Sequence, residues 1–338
     1  MDGPGWEKCE APRFEVPRFN DASAAVQTLS MPQTSILLLT KNDAPNVSSC
    51  LNAIYSQDGI DPFEVIAIDS GSTDGTLDVL KRFPVQLRQI PPESFHHART
   101  RNLAAACAKG EILVFLSQDA IPASSRWLRT LLSNFDDAQV GAVYGRQLPK
   151  PGSSVERQDA LNTLYGAQRI VKDPRAHNDF GYLFYHFSNV NSALRHSIWR
   201  SVHFPENLKV FEDIGIAKRV LDAGWKIVYE PEAPVFHSHT HSTAGLFKRY
   251  FDIGYSLKLL GIWDAPGTRR SMARDAFRLL RKKLYRMRPN QRRNEDKKAS
   301  SLGIRQDIVK STGLFLGLSQ ACLPLFLKRH LSAYGIFE

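Results

Sequence analysis

Acidic side chains follow three of the apolar segments in the first third of the chain. Asp43 comes after the first segment, Asp69 lies at the end of the second, and Asp119 follows a later one. An aspartate can accept a hydrogen bond from a nucleoside, and its oxygens can hold Mg²⁺ or Mn²⁺ together with phosphate oxygens. Asp is also a common turn and cap residue, so each position alone has a structural explanation. Three aspartates at one edge of a sheet would favour nucleotide binding.

The sequence lacks the glycine-rich loops that commonly cradle phosphates. Neither GxxxxGK[ST] nor GxGxxG follows the first apolar segment. Because an acidic edge would repel a diphosphate, we expect a divalent cation between the two, held by Asp119. The motif VFHSHTHS offers His237 and His239 as further ligands, since residues i and i+2 of a strand lie on one face. The structural alternative for this motif is a polar surface strand.

The elements that must position these residues alternate along the chain. Short apolar runs predict four buried strands, with the sequences SILLLT, FEVIAIDSGS, VQLRQI and EILVFLSQDA. The segments between them predict helices at Asn46–Gln57, from Thr73 or Asp74, and over HARTRNLAAACAKG, which is expected to end at Gly110. This alternation requires a parallel sheet covered by helices on both faces. From Gln139 onward the pattern loosens into strands and loops suited to binding an acceptor.

Charge is concentrated near the C-terminus. The chain has a net charge of +10, yet residues 268–310 alone contain 15 Lys and Arg against 4 Asp and Glu, which leaves the remainder close to neutral. We therefore expect three regions: a flexible leader at 1–32, a catalytic domain at 33–265, and a basic amphipathic helical tail at 266–338. Such a distribution indicates an anionic surface contacted by the tail.

The predicted tail combines charge with apolar residues. Phe277, Leu280 and Leu284 recur at helical spacing among arginines and lysines, which predicts an amphipathic basic helix. We interpret it as a segment that docks on an anionic membrane, the alternative being a solvated basic face. The apolar stretch Gly313–Leu327 contains Pro324 and is shorter than the roughly 20 residues of a membrane span, so an interfacial or core helix is expected.

Cysteine usage favours a reducing compartment. The four cysteines lie far apart and form no CxxC pair, which excludes a zinc ribbon, a CxxC redox motif and a disulfide framework. No apolar segment follows a basic start at the N-terminus, so a secretory signal is not expected.

The order of the motifs resembles that of glycosyltransferase family 2 of the GT-A fold, and most closely its bacterial rhamnosyltransferases. The resemblance covers about residues 34–260 and rests on SILLLTKN, VIAIDSGSTDGT, HARTRN, FLSQDA, YGRQLP, FEDIGIAKRVLDAGW and HSHTHS. It implies an α/β GT-A fold, in which a Rossmann-like, nucleotide-binding mixed sheet is flanked by helices and followed here by a C-terminal helical basic extension.

The resemblance also implies roles for individual residues. Binding of the nucleotide sugar is implied for Thr40, Asn42, Asp43, Asp69, Arg99, Asn102, Gln118 and Asp119. A Mg²⁺ or Mn²⁺ ion is implied at Asp119, His237 and His239. Gln118 stands where many relatives have the first Asp of a DxD motif, so a clamp of two carboxylates is not expected.

The pair Glu212–Asp213 matches the ED pair of the same family. The resemblance implies that Asp213 is the general base and that Glu212 orients the acceptor or Asp213. A single base implies one displacement, with inversion at the anomeric carbon. The structural alternative is a helix start whose acidic residues complement the helix dipole.

The function implied is inverting transfer of a sugar, L-rhamnose from dTDP-rhamnose, to a saccharide acceptor that is lipid-linked or a cell-surface polysaccharide precursor. The enzyme would act as a peripheral protein at the cytoplasmic face of a bacterial plasma membrane. Another donor, such as UDP-galactofuranose or a UDP-hexose, is an open alternative. Nucleic-acid binding by the tail is disfavoured, because the tail lacks regularly interleaved aromatic residues and no zinc or helix-turn-helix signature is present. The sequence does not indicate an oligomeric state.

Overall fold

The computed structural model describes residues 33–60, 62–176, 182–239, 242–264 and 294–337. Strands and helices alternate in the first part, as β1 Thr34–Thr40, α1 Ala44–Tyr55, β2 Phe63–Asp69, α2 Thr76–Leu80, β3 Val85–Gln89, α3 His97–Cys107 and β4 Ile112–Ser117. The next part contains β5 Ile121–Pro122, α4 Trp127–Leu132, β6 Val140–Leu148, α5 Val155–Leu164, β7 Ile170–Lys172, β8 Asn191–Arg195, α6 His196–Val202, α7 Glu212–Asp222 and β9 Lys226–Phe236. The last helices are α8 Thr243–Leu259, α9 Asn294–Leu318 and α10 Leu325–Leu331.

The described strands form one mixed sheet in the order β3-β2-β1-β4-β8-β6-β9-β5, and β7 also pairs with β9. The first four strands are parallel, whereas β8 is antiparallel to both β4 and β6, and β6 is parallel to β9. Strands β1, β2, β4, β6 and β9 therefore run in the same direction, and their carboxyl ends lie at one edge. This arrangement confirms the predicted mixed sheet flanked by helices.

Successive residues of the central strands point to opposite faces, and helices cover both. Ile36 and Leu38 of β1 pack with α1 and α4 on one face, whereas Leu37 packs with α3, α6 and α7 on the other. These side chains are at most 1% exposed. Burial on both faces explains why the strands are continuous apolar runs rather than alternating ones.

Helices α1 and α3 differ by a few residues from their predicted boundaries. Helix α1 begins at Ala44 and ends at Tyr55, two residues earlier than expected at each end. Helix α3 ends at Cys107 rather than at Gly110, because Ala108 is already extended. Gly110 instead lies against the start of β1, where a Cβ atom would come 2.6 Å from the backbone nitrogen of Ser35. Close approach to the neighbouring strand, and not helix termination, requires this glycine.

Helix α9 packs tightly along α8. A Cβ atom at Gly317 would lie 1.9 Å from the carbonyl oxygen of Phe251, and one at Gly254 would lie 2.3 Å from that of Leu314. The backbones of the two helices therefore meet directly at glycine positions. The described part of the predicted tail is thus packed on the preceding domain, and the stretch Gly313–Leu327 is divided between α9, a 3₁₀ turn and α10.

The chain end is also attached to α8. The Oδ2 atom of Asp252 accepts hydrogen bonds from the backbone N–H groups of Ala333, at 2.7 Å, and Tyr334, at 3.0 Å.

Within the described ranges, no helix has the length and apolar character needed to cross a membrane. The leader, the Phe277–Leu280–Leu284 stripe and the boundary at 266 lie outside the described residues, so the three-region division stays a prediction.

Candidate active site

One edge of the sheet collects the polar residues of the site. Asp119 lies two residues after β4, Lys150 lies two residues after β6, and His237 directly follows β9. Since these strands run in the same direction, the turns that follow them converge at their carboxyl ends, where ligands of open α/β sheets bind.

Asp119, His237 and His239 form a compact cluster at this edge. The Oδ2 atom of Asp119 lies 3.6 Å from Nε2 of His237 and 3.3 Å from Nε2 of His239, and the two histidine nitrogens are 3.0 Å apart. Within the described part of the chain, this is the one group of three His, Cys, Asp or Glu side chains whose possible ligand atoms all lie within 4.8 Å of one another. The structure therefore brings together the three metal ligands implied by the sequence.

The chemistry of the cluster fits a divalent cation. Oδ2 of Asp119 is buried and accepts no hydrogen bond from the described residues, so this oxygen is available to a cation. Burial lowers the pKa of His237 to about 4, and its imidazole is neutral near pH 7, as a ligand must be. One carboxylate oxygen and two imidazole nitrogens would leave further positions open to phosphate oxygens.

A lysine that the sequence reasoning missed places a positive charge beside the cluster. Nζ of Lys150 lies 3.6 Å from the same Oδ2 atom of Asp119 and donates to Oδ1 of Asn46 at 3.3 Å. The amide nitrogen of Asn46 donates to the Asp43 carboxylate, whose two oxygens lie 2.9 and 3.0 Å away. Lys150 thus connects the cation cluster with the loop after β1, and it offers a positive charge where a diphosphate would lie.

Asp69 organises a loop instead of presenting a free carboxylate. It is fully buried, and its oxygens accept from the Thr40 hydroxyl, the Ser72 hydroxyl and the backbone N–H groups of Gly71 and Ser72, at 2.6–3.0 Å. The implied direct contact of Asp69 and Thr40 with base or ribose stays a prediction. Four donors already satisfy the carboxylate, and both side chains act by shaping the loop after β2.

Asn42 and Asp43 remain at the surface of the nucleotide side. Asn42 has a φ of 43°, a left-handed conformation that asparagine tolerates, and its Oδ1 atom accepts from the backbone of Thr73 at 2.7 Å. Asp43 is half-buried, and its backbone N–H donates to Thr76. Both residues line the gap between the loops after β1 and β2, as a nucleoside pocket requires.

Gln118 joins two loops through its amide. Its Oε1 accepts from the backbone N–H of Lys41 at 2.8 Å, and its Nε2 donates to the carbonyl of the same residue at 3.1 Å. An aspartate could accept the first bond but has no hydrogen for the second. The amide therefore holds the loops after β1 and β4 together, and the implied contact of Gln118 with the donor stays a prediction.

Asn102 and Arg99 differ in how many of their side-chain polar atoms are already bonded within the protein. The Asn102 amide accepts from Trp199 Nε1 and the Phe204 N–H, and donates to the Phe204 carbonyl and Glu206. All four bonds are made within the protein and give Asn102 a structural role, while its implied contact with the nucleotide or its phosphates stays a prediction. Arg99 is half-exposed and its Nε lies 3.5 Å from Glu206, a weak surface pair that leaves the guanidinium able to reach a ligand.

The acidic pair begins helix α7. Glu212 is buried and its Oε1 lies 2.8 Å from Nη1 of Arg101, which is also largely buried. Asp213 accepts from the backbone N–H of Ile214 at 2.8 Å. Burial, followed by the neighbouring charge of Glu212, raises the pKa of Asp213 to about 7. The preceding residue, Phe211, has a φ of 69°, and such strain in a bulky residue is typical of functional sites.

Comparison of the sequence with those of known proteins identifies the family of the chain. The sequence profile of Glycosyl transferase family 2 matches residues 35–202. The chain is 38% identical to the O-antigen chain rhamnosyltransferase WbaN of Salmonella anatum and 37% identical to the O-antigen chain rhamnosyltransferase RfbN of Salmonella typhimurium, over 57% and 62% of its own length. These matches span 62% and 67% of the two relatives. The chain belongs to glycosyltransferase family 2.

Solved structures confirm the GT-A fold of this family 2 glycosyltransferase. The Pyrobaculum calidifontis mannosyltransferase PcManGT, in complex with GDP-Man and Mn²⁺, matches with a TM-score of 0.57 and 19% identity over 85% of this chain and 88% of that one. Residues 1–349 of S. aureus TarS match with a TM-score of 0.52 and 15% identity over 88% and 77%. At such identities the likeness shows the fold alone.

Sequence reasoning missed Lys150 and Arg101, although weak signals existed for both. Lys150 follows the apolar run of β6 just as Asp119 follows that of β4. Arg101 lies two residues beyond Arg99 in HARTRN, and only the helical turn of α3 decides which of the two faces Glu212. His241, also in HSHTHS, lies outside the described residues.

Proposed function

We propose that the chain is an inverting rhamnosyltransferase that transfers L-rhamnose from dTDP-rhamnose to a saccharide acceptor. The observations that carry this proposal are the cluster of Asp119, His237 and His239, whose chemistry suits a cation, and a separate, partly buried carboxylate, Asp213, whose pKa is raised. The cluster suits a sugar diphosphate and the carboxylate suits an acceptor hydroxyl. The names of the two Salmonella relatives, both rhamnosyltransferases, support L-rhamnose as the sugar.

The donor would be held by its diphosphate. Asp119, His237 and His239 would bind Mg²⁺ or Mn²⁺, which stabilises the negative charge that grows on the departing diphosphate. Lys150 would add a second positive charge, and Arg99 could reach the phosphates from α3. Asn42 and Asp43 would line the nucleoside pocket shaped by Asp69, Thr40 and Gln118.

The acceptor would be activated by Asp213. A carboxylate with a pKa of about 7 accepts a proton more readily than an ordinary aspartate and is still half ionised near pH 7. As the acceptor oxygen bonds to the anomeric carbon, the bond from that carbon to the diphosphate breaks, and the hydroxyl proton passes to Asp213. One displacement on the opposite face inverts the configuration. Glu212, held by Arg101, would keep the local field negative and Asp213 basic.

A donor panel tests this proposal. The full chain would be incubated with Mn²⁺ and an acceptor saccharide extract and supplied separately with dTDP-rhamnose, UDP-galactofuranose and UDP-glucose, with Asp213→Asn as the background control. We expect release of dTDP, and incorporation of sugar, with dTDP-rhamnose. Preference for a UDP-sugar would reject the donor while keeping the enzyme class, and no turnover with any donor would reject the proposed function.

The acceptor is proposed to be presented at a membrane. Helix α10 exposes Leu325 and Phe326, at 53% and 72%, directly before Lys328 and Arg329. Together with the basic segment 268–310, these side chains offer apolar and cationic contacts to an anionic lipid surface. We propose a peripheral protein at the inner face of a bacterial plasma membrane, with a lipid-linked or polysaccharide-precursor acceptor.

A further inference from the structure

We propose that Gln147 is a positioning residue that sets the tautomer of His237 and so directs the Nε2 lone pair of that imidazole toward the cation cluster. The inference deepens the proposed function and rests on its cation site. The bond that carries it is the contact between Oε1 of Gln147 and Nδ1 of His237, at 2.9 Å.

In the structure the amide nitrogen of Gln147 faces two hydroxyl groups, both of which can accept a hydrogen bond, and its carbonyl oxygen faces His237. Its Nε2 atom lies 2.6 Å from the Tyr165 hydroxyl and 3.0 Å from the Ser188 hydroxyl, so both amide hydrogens have acceptors. The carbonyl oxygen is then the atom that faces Nδ1 of His237. Because a carbonyl oxygen only accepts, Nδ1 must carry the imidazole hydrogen.

This assignment decides what His237 presents to the cluster. A neutral imidazole with hydrogen on Nδ1 has its lone pair on Nε2, the atom that faces Oδ2 of Asp119 and Nε2 of His239. If the amide were reversed, its nitrogen would donate to Nδ1, and the imidazole hydrogen would lie on Nε2. That hydrogen would point into the cluster and exclude a cation.

Water cannot replace the amide in this network. Gln147, Tyr165, Ser188 and His237 are all buried, with exposures of 3–7%. Removing the carbonyl oxygen would therefore leave Nδ1 without a partner, and the imidazole would be free to place its hydrogen on either nitrogen. Partners of metal-bound histidines that fix the tautomer typically change metal affinity 10- to 100-fold when mutated.

The test compares wild type with Gln147→Met, Gln147→Glu and Gln139→Met, all in the full chain without donor or acceptor. Gln139 is an exposed glutamine just before β6 and serves as the matched control. Long-range ¹H–¹⁵N spectra of the metal-free, histidine-labelled proteins report the His237 tautomer. The electron paramagnetic resonance signal of free Mn²⁺ reports affinity, and neither readout depends on sugar transfer.

We expect hydrogen on Nδ1 of His237 in the wild type and in Gln147→Glu, whose carboxylate also accepts from Nδ1, with Mn²⁺ affinity retained in both. Gln147→Met should show mixed tautomers and about 10- to 100-fold weaker Mn²⁺ binding, whereas Gln139→Met should match wild type. Hydrogen on Nε2 in the wild type, or an unchanged tautomer in Gln147→Met, would overturn the inference.

Two results separate this inference from the proposed function. If Gln147→Met does not fold, the spectra of the wild type and of Gln147→Glu still decide the inference, because hydrogen on Nε2 of His237 in either protein overturns it. If the wild type binds no Mn²⁺, the cation site of the proposed function is wrong, while the spectra still decide whether Gln147 sets the His237 tautomer.

Discussion

The guanidinium of Arg101 lies 2.8 Å from the carboxylate of Glu212, and this buried ion pair distinguishes two adjacent acids. Glu212 is paired with a positive charge, whereas the pKa of its partly buried neighbour Asp213 is raised by desolvation and then by the charge of Glu212. One carboxylate is therefore engaged in an ion pair, and the other is placed to exchange a proton near neutral pH. The pair that the sequence shows as two like residues has two different electrostatic environments.

We predict that Asp213→Asn abolishes transfer and leaves donor binding unchanged. An amide cannot accept the acceptor proton, and general-base catalysis is worth roughly 10²- to 10⁴-fold in turnover. The measurement is kcat together with the Kd of dTDP-rhamnose. Asp222→Asn, at the exposed end of α7, is the control and should retain activity. More than about a tenth of wild-type turnover in Asp213→Asn would remove this residue from the role of base.

We predict that kcat/KM rises with pH through the pKa of Asp213, near 7, and reaches a plateau above it. The base works only when ionised, so activity is lost as the pH falls below this value. Glu212→Gln removes the negative neighbour and should shift the limb toward lower pH, because the like charge raises the pKa of Asp213. Glu232→Gln, at an exposed position of β9, should leave the profile in place. A limb that does not move in Glu212→Gln would contradict the coupling.

We predict that transfer requires a divalent cation and that Asp119→Ala raises the Mn²⁺ concentration needed for half-maximal activity. The carboxylate is the one anionic ligand of the cluster, so its loss weakens cation binding more than the loss of a neutral imidazole. The measurement is activity across a Mn²⁺ titration after removal of metal by EDTA, with Asp78→Ala on the exposed surface of α2 as control. Full activity in excess EDTA would disprove the requirement.

We predict that Asn102→Ala lowers the free energy of unfolding by about 1–3 kcal/mol, because it leaves buried partners in the loop between α6 and α7 unsatisfied. Arg99→Ala should change stability by no more than about 1 kcal/mol, since its pair with Glu206 is exposed. Urea unfolding measures both. A stable Asn102→Ala protein with impaired donor binding would contradict the structural role of Asn102 and support the ligand contact implied by the sequence.

The parts of the site predicted from sequence are those fixed by local pattern. The apolar runs that become β1, β2 and β4 predict the carboxyl edge of a sheet, and Asp119 is predicted at that edge because it follows β4. The contact between His237 and Asp119 spans more than a hundred residues, and the alternating histidines of VFHSHTHS indicate it only as a further ligand set, without its geometry. The uses of Asp69, Gln118 and Asn102 could not be predicted, because their partners are backbone groups and side chains brought close only by tertiary packing.

The proposed membrane contact is better tested by neutralising basic residues of the tail than by deleting the tail. Removing everything after residue 266 would strip α9 from α8, where the glycine contacts bring the two backbones together, and the remaining domain would lose packed surface. Charge substitutions avoid this problem, because the basic segment begins before α9 and contains the run Arg281–Lys283.

We predict that Arg281→Gln, Lys282→Gln and Lys283→Gln together weaken binding to vesicles containing anionic phospholipid by about a hundredfold, at roughly 1 kcal/mol for each charge. The control is a triple change far from the tail, Lys81→Gln, Arg82→Gln and Arg126→Gln, all at exposed positions, which removes the same net charge. Co-sedimentation at two salt concentrations measures the affinity, since an electrostatic contact weakens with salt. Equal losses in the two variants would mean that overall charge, and not this segment, attracts the lipid. Unchanged binding in both would contradict electrostatic docking, and the exposed Leu325 and Phe326 would then be the remaining contacts.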